Sequence, residues 1–237
     1  MKVPIRVDGS LTHPAVVGTI HSAESLRAGL KLRKGDCDWV ELRVDGFFPD
    51  VGELRKAAGK LRVPRIVTVR HASEGGEARM TERVRRGLYE EFLKVAGMVD
   101  IELRQAAGMA GVTAQAREAG VGVILSHHDF QRTPSAGRLR ELAERARDAG
   151  ADIFKVAAMT QTPGDVARLV EFLADEKNGP PLSVMGMGRY GKVSRLVLAE
   201  AGSCLNYGYL GSPNASGQWP VEVLKRRIAE LREGGQV

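Results

Sequence analysis

Eight short apolar runs recur along the chain, separated by stretches with helical patterning. They are AVVGTI (15–20), DWVELRV (38–44), RIVTVR (65–70), VDIEL (99–103), VGVILS (121–126), DIFKVAA (152–158), PLSVMG (181–186) and SCLNYGYL (203–210). Each is too short for a buried helix and rich in Val, Ile and Leu, which predicts buried strands. Strand starts lie mostly 20 to 30 residues apart, the length a βα unit needs to return and begin a parallel strand. Amphipathic segments fill the gaps at 80–96, 135–149, 163–176 and 191–201, and a last helix is expected at about 219–233. Eight strands and eight helices in unbroken alternation predict an α/β fold, a (β/α)8 TIM barrel, with an open doubly wound sheet as the alternative. No Pro/Ser-rich linker interrupts the pattern, so residues 1–237 read as a single domain.

Composition narrows the function classes. No apolar run approaches the ~20 residues of a membrane span, and the opening MKVPIRVDGS has no long apolar segment after its basic residues, so no secretory signal is expected. Two distant cysteines, Cys37 and Cys204, fit reduced thiols in a cytoplasmic protein. The net charge of +6 raises the question of nucleic acid. However, the basic clusters at 83–86 and 225–227 alternate with Glu82, Glu90, Glu222 and Glu230, and aromatics make up only 5% of the chain. Solvated helix faces are the expected reading, with a surplus of positive charge that favours a small anionic substrate.

The stretch SVMGMGRYGKVSR (183–195) spells G-x-G-x-x-G and most of a phosphate loop. Neither match has its context. It follows the seventh strand rather than the first, the next strand ends in YGYLGS without a ribose-binding acid, and Val193 stands where a phosphate loop needs Ser or Thr. Glycines that turn the chain sharply into a helix explain the pattern, and the helix start with Arg195 faces a barrel's active-site end.

Ionisable residues inside apolar strands carry the chemistry. Lys155 lies between Phe154 and Val156, and alternation places it with Ile153 and Ala157 on one face. Inside a barrel, desolvation favours the neutral amine that attacks carbonyls. Glu41 and Arg43 alternate in WVELRVD and are expected to point inward as a pair. Arg70 ends the third strand, Glu74 follows it, and the fifth ends in SHHDF with His127 and His128. A lysine, a histidine, carboxylates and arginines converging on one mouth suggest Schiff-base chemistry on an anionic carbonyl compound. An aldolase and a dehydratase remain equal at this point.

At these residues the chain resembles the type I 3-dehydroquinate dehydratases. ELRVD, VTVRHASEGG, SHHDF before TP, ADIFKVAAM, MGMGRYGKVSR and a terminal Gly217-Gln218 occur in order over nearly the whole length, with His128 and Lys155 27 positions apart. The resemblance implies a (β/α)8 barrel, commonly a homodimer, with no metal or cofactor, acting on 3-dehydroquinate in aromatic amino-acid biosynthesis. It implies an imine on Lys155, proton transfer by His128, and Glu74 as the partner that orients His128. Arg195 and Gln218 would hold the substrate carboxylate or hydroxyls, Glu41, Arg43 and Arg70 the ring's polar groups, and Met185 and Tyr207 would line the pocket. One departure stands out: the family's last loop usually reads Ser or Thr, Ala, Pro, Gly, Gln, whereas here it reads Asn214-Ala215-Ser216-Gly217-Gln218. Asn214 can still hydrogen-bond substrate, with a different reach, and losing proline loosens the expected lid. A class I aldolase-like lyase on another small carboxylated ketone is the alternative, and a nucleic-acid-binding or scaffold protein the alternative from another class.

Overall fold

The computed structural model describes residues 14–176 and 179–233. The opening MKVPIRVDGS, read above for a signal, lies outside them. Eight strands alternate with eight helices: β1 Ala15–Ile20, α1 Ala23–Lys31, β2 Trp39–Arg43, α2 Gly52–Ala58, β3 Arg65–Thr68, α3 Glu82–Phe92, β4 Met98–Glu102, α4 Ala110–Glu118, β5 Gly122–Asp129, α5 Ala136–Asp148, β6 Ile153–Met159, α6 Pro163–Asp175, β7 Leu182–Met187, α7 Gly191–Glu200, β8 Leu205–Tyr209 and α8 Val221–Glu233. The strands form one parallel sheet in the order β7-β6-β5-β4-β3-β2-β1-β8. The seam between β7 and β8 is drawn shut by Cys204 N–H donating to Leu182 O at 2.8 Å and Ser183 Oγ donating to Leu205 O at 2.8 Å. The result is the (β/α)8 TIM barrel that the alternation predicts.

Local chemistry starts the helices where the chain leaves the strands. Ser22 and Thr162 make capping boxes, Pro163 occupies the first turn of α6, and Thr81 and Ser135 cap α3 and α5. Strand alternation then divides the core in two. Val40, Leu42, Val67, Val69, Val99, Ile101, Val123 and Leu125 face outward and are buried against the helices. Val17, Trp39, Ile66, Met98, Ile124 and Ile153 face inward and fill the bottom of the barrel. Above that plug the inward positions turn polar, and this layer builds the site.

Two expectations need correction. β5 runs to Asp129, three residues beyond the apolar run, because His127, His128 and Asp129 keep pairing with Val156, Ala157 and Ala158 of β6. The cluster at 83–86 is not wholly a solvated face: Arg85 is 1% exposed, and its guanidinium reaches back from α3 to Val69 O and to Glu102 at 2.5 Å. A helical surface pattern does not reveal an arginine long enough to cross under its own helix. Cys37 and Cys204 are both buried and free. No helix among the described residues is long and apolar enough to cross a membrane.

Candidate active site

Lys155 rises from the middle of β6, 4% exposed, with Ser126 of β5 and Ser183 of β7 as its in-register neighbours. Its Nζ donates to Asp100 Oδ2 at 2.8 Å, lies 3.5 Å from Glu41 Oε1, and sits 4.0 Å above the Tyr207 ring. Burial is therefore only half of its surroundings, and two carboxylates flank the amine. Asp100 also accepts from Arg70 Nη2 at 2.8 Å and from Ser126 Oγ at 2.6 Å. Burial opposes its charge, but Arg70 and Lys155 outweigh it and hold the carboxyl far below the usual range. Arg70 in turn reaches Glu102 at 3.2 Å, and Glu102 binds Arg85. A buried ion network of this kind stands only when every charge has an opposite partner, which each has here, although Arg85 Nη1 makes no hydrogen bond.

Glu41 and Arg43 both point inward, as alternation requires, but they do not pair. Glu41 accepts from Thr68 Oγ1 at 2.9 Å. Arg43 instead makes a two-point pair with Asp45 at 3.0 and 2.7 Å, because the chain curls into a short 3-10 turn after β2 and brings Asp45 back beside it. Asp45 also accepts from the backbone of Arg70 and Glu77, tying the loop after β2 to the loop after β3. Burial pushes its carboxyl up, and Arg43 more than reverses that.

Glu74 stands on the loop after β3 and His128 on the end of β5. Glu74 Oε2 lies 3.0 Å from His128 Nδ1 and accepts from His128 N–H at 3.1 Å. Burial pushes the Glu74 carboxyl up to about 7 against the pull of Arg70 and Arg104. Burial, with the charges of Arg70 and Lys155, pushes His128 well below its ordinary value. Burial and its cationic neighbours thus favour the neutral imidazole of His128, the form that can accept a proton. His127 points to the other face of β5 and lines a separate pocket with Arg132 and Arg138.

The glycine stretch proves to be packing. A side chain at Gly186 would strike Ser194 Oγ and Thr160 Oγ1, Gly188 has φ +76°, and a Cβ at Gly191 would come within 2.7 Å of Gly217 Cα. These contacts let the loop after β8 rest on the start of α7, with Gly188 N–H donating to Ser216 Oγ at 3.1 Å and Trp219 Nε1 to Lys192 O at 2.9 Å. Arg195, 2% exposed, donates to Gly217 O at 3.1 Å and Tyr207 O at 2.9 Å. It has no carboxylate partner among the described residues, and burial lowers it to about 10. Gln218 Oε1 is committed to the loop itself, accepting from the backbone of Asn214 and Ala215 at 3.1 and 3.2 Å, which leaves its amide group for anything bound.

One pocket, about 550 Å³ including its open mouth, gathers all eleven residues singled out from the sequence, from Glu41 and Arg43 through Met185 and Gln218. It adds Thr19, Phe130 and Met187, which sequence reasoning missed. Phe130 stacks beside His128 at 6.3 Å on the rim. Asp100 and Glu102 were missed as well, although they alternate in VDIEL as Glu41 and Arg43 do in their strand. Applying the same rule to that strand finds them. Besides Glu74 Oε1, three buried polar atoms of pocket-lining residues, Thr19 Oγ1, Tyr207 Oη and Asn214 Oδ1, lack a hydrogen-bond partner, an arrangement that costs about 1–3 kcal/mol per group unless a polar ligand supplies one. No cluster of three or more His, Cys, Asp or Glu among the described residues is arranged to hold a metal. The arrangement suits a small, hydroxylated anion with a carbonyl group.

A family model described as type I 3-dehydroquinase matches residues 15–233. A 3-dehydroquinate dehydratase of Methanocella arvoryzae is 35% identical, over 92% of this chain and 98% of that protein. A catabolic 3-dehydroquinate dehydratase of Acinetobacter baylyi is 34% identical, over 83% and 77%. Among solved structures, the type I 3-dehydroquinate dehydratase of Clostridium difficile, determined with covalently modified comenic acid, superposes with a TM-score of 0.84 at 27% identity, covering 94% of each chain. Fold, sequence match across the whole barrel and the residues gathered in its mouth agree, and the chain belongs to the type I 3-dehydroquinase family.

Proposed function

We propose that this chain dehydrates 3-dehydroquinate to 3-dehydroshikimate through an imine on Lys155. The observation that carries the reading is that Lys155 and His128 enter one pocket from adjacent strands while the same pocket holds Arg195, a buried cation without a carboxylate partner among the described residues. The amine of Lys155 adds to the substrate ketone, and loss of water leaves a protonated imine that withdraws electrons from the neighbouring C–H bond. His128, its Nδ1 held by Glu74, takes that proton. The resulting enamine expels the β-hydroxyl, which receives a proton from His128, and hydrolysis of the imine frees the product and Lys155. Asp100 and Glu41, which flank the Lys155 nitrogen, would stabilise its positive charge in the imine before and after the neutral enamine. Incubation with 3-dehydroquinate and borohydride, followed by intact mass and peptide mapping, is expected to show one reduced ligand on Lys155; capture on another lysine overturns the reading.

Arg195 supports an anionic group in the substrate. Arg195→Gln is expected to raise KM about tenfold to a hundredfold, the loss of one charge-assisted hydrogen bond pair at about 1.5–3 kcal/mol, with Arg195→Lys between the two. A KM within twofold of the parent removes the anion from this place. The lid departure gives a second test. Asn214 Oδ1 is buried without a partner on the pocket wall, a place for a donating substrate hydroxyl. Asn214→Ser, which restores the family's residue, is expected to preserve or improve kcat/KM for 3-dehydroquinate. A large loss, with another carboxylated ketone turned over better by the parent, points to the aldolase-like alternative. A homodimer and a cytoplasmic location belong to the same reading, and sedimentation velocity tests the first.

A further inference from the structure

The mechanism above leaves one close charge unused. Arg104, just past β4, is about half exposed and does not line the pocket, yet its Nε lies 3.0 Å from Glu74 Oε1. The Glu74 side chain is 1% exposed. Its other oxygen is fully engaged by the backbone N–H and Nδ1 of His128. Oε1 makes no hydrogen bond of good geometry within the protein, so the Arg104 charge is its nearest compensation. Arg104 is itself steered there: its Nη1 donates to Ser73 Oγ at 3.1 Å, and that hydroxyl lies 2.6 Å from His71 Nδ1.

From this geometry, and resting on the reading that His128 is the base, we infer that Arg104 is a positioning residue: it adds to Arg70 in favouring the carboxylate form of Glu74, and the carboxylate keeps His128 in the tautomer that can accept a proton. A carboxylate can only accept from Nδ1–H, which leaves the lone pair on Nε2, the ring nitrogen not held by Glu74. A protonated Glu74 donates to Nδ1 instead, the ring hydrogen then sits on Nε2, and the base is lost. One proton on Glu74 thereby switches His128 off. The groups that face Glu74 are Arg70 beyond β3, Glu102 of β4, Arg104 and His128; Arg43 of β2 touches the adjacent Gly75 O, and Lys155 and Asp100 act on His128. Arg70 pulls on Glu74 more strongly than Arg104 does, but it is also shared among Asp100, Glu102 and Ser126, and Glu102 works against ionisation of Glu74. Burial favours the neutral acid, with Glu74 at about 7 even with Arg104 in place. Arg104 is the one cation in this set reachable from solvent, so the balance of the pair is set at the protein surface.

The test is the pH dependence of kcat/KM in Arg104→Gln and Arg104→Lys. Activity needs ionised Glu74, so it falls as pH drops through the Glu74 titration, and removing a favourable cation moves that limb upward. For a half-exposed arginine the expected displacement in Arg104→Gln is about half a unit to one unit, and the ratio of mutant to parent kcat/KM falls as pH falls. Arg104→Lys is expected to restore most of the parent profile. High salt is expected to shift the parent toward the Gln variant, because Arg104 is open to screening. Thermal melting controls for folding, which substitution at an exposed side chain is not expected to disturb. An acidic limb that stays in place in Arg104→Gln, or that moves equally in Arg104→Lys, overturns the role of Arg104. That outcome is distinct from failure of the underlying reading, which would appear as full activity in a His128→Ala protein.

Discussion

Lys155→Met is expected to abolish turnover and borohydride capture together, while the barrel remains folded. Methionine keeps a side chain of similar length and removes the amine that sits over the Tyr207 ring, so packing is nearly conserved. Asp100 loses one partner but keeps Arg70 at 2.8 Å and Ser126 at 2.6 Å, so no buried carboxylate is stranded. That distinction matters, because breaking a buried pair without a remaining partner costs about 3–5 kcal/mol. Lys155→Ala removes the stem as well and is expected to melt earlier for that reason, with the same loss of chemistry. For both, kcat is expected to fall by on the order of 10⁵ or more, as when other covalent nucleophiles are removed, because the pocket without the amine can bind the ketone but offers no electron sink. Thermal melting separates the two variants, and borohydride labelling with 3-dehydroquinate reads the chemistry. Retained labelling in Lys155→Met would place the imine on another residue.

The reason Lys155 was legible in the sequence, and its partners were not, is geometric. A strand reports its own faces: every second residue points inward, so a lysine between Phe154 and Val156 announces itself. The same periodicity marked Glu41 and Arg43, the ends of strands marked Arg70 and the His127-His128 pair, and the (β/α)8 alternation set all of them at one end of the barrel. What a strand does not report is which side chain it meets across the barrel. Asp100 comes to Lys155 from 55 residues away and Glu74 to His128 from 54. Arg43 illustrates the limit. Its nearest alternating neighbour is Glu41, and pairing the two is the natural inference, yet the turn after β2 folds Asp45 onto it. Arg85 shows another, since its sequence neighbours Arg83 and Arg86 are exposed while it is buried beneath them. The role of each residue came from the family resemblance; the structure adds the distances that make those roles testable, and it adds Asp100, Glu102 and Arg104.

His128→Ala is expected to lower kcat by about 10² to 10⁴, the usual range for a general acid–base group, while the imine still forms on Lys155 and is still trapped. The split between trapping and turnover is what distinguishes a proton-transfer residue from one that only shapes the pocket. His127→Ala is expected to lose less than about tenfold, because its side chain lies on the opposite face of β5, in the pocket with Arg132 and Arg138. The pH profile of the parent should carry the same signature. Glu74 is pushed up to about 7 by burial, and the base requires Glu74 ionised, so kcat/KM is expected to rise as pH increases through neutrality. In Glu74→Gln the ionisable carboxyl is gone, and that limb is expected to vanish from a much slower enzyme whose amide can present either an acceptor or a donor to Nδ1. If His127→Ala proves the more damaging change, the inward face of β5 at its end is the other one. The pairing of His128 with Glu74 at 3.0 Å would then be a structural hydrogen bond beside the site rather than part of its chemistry.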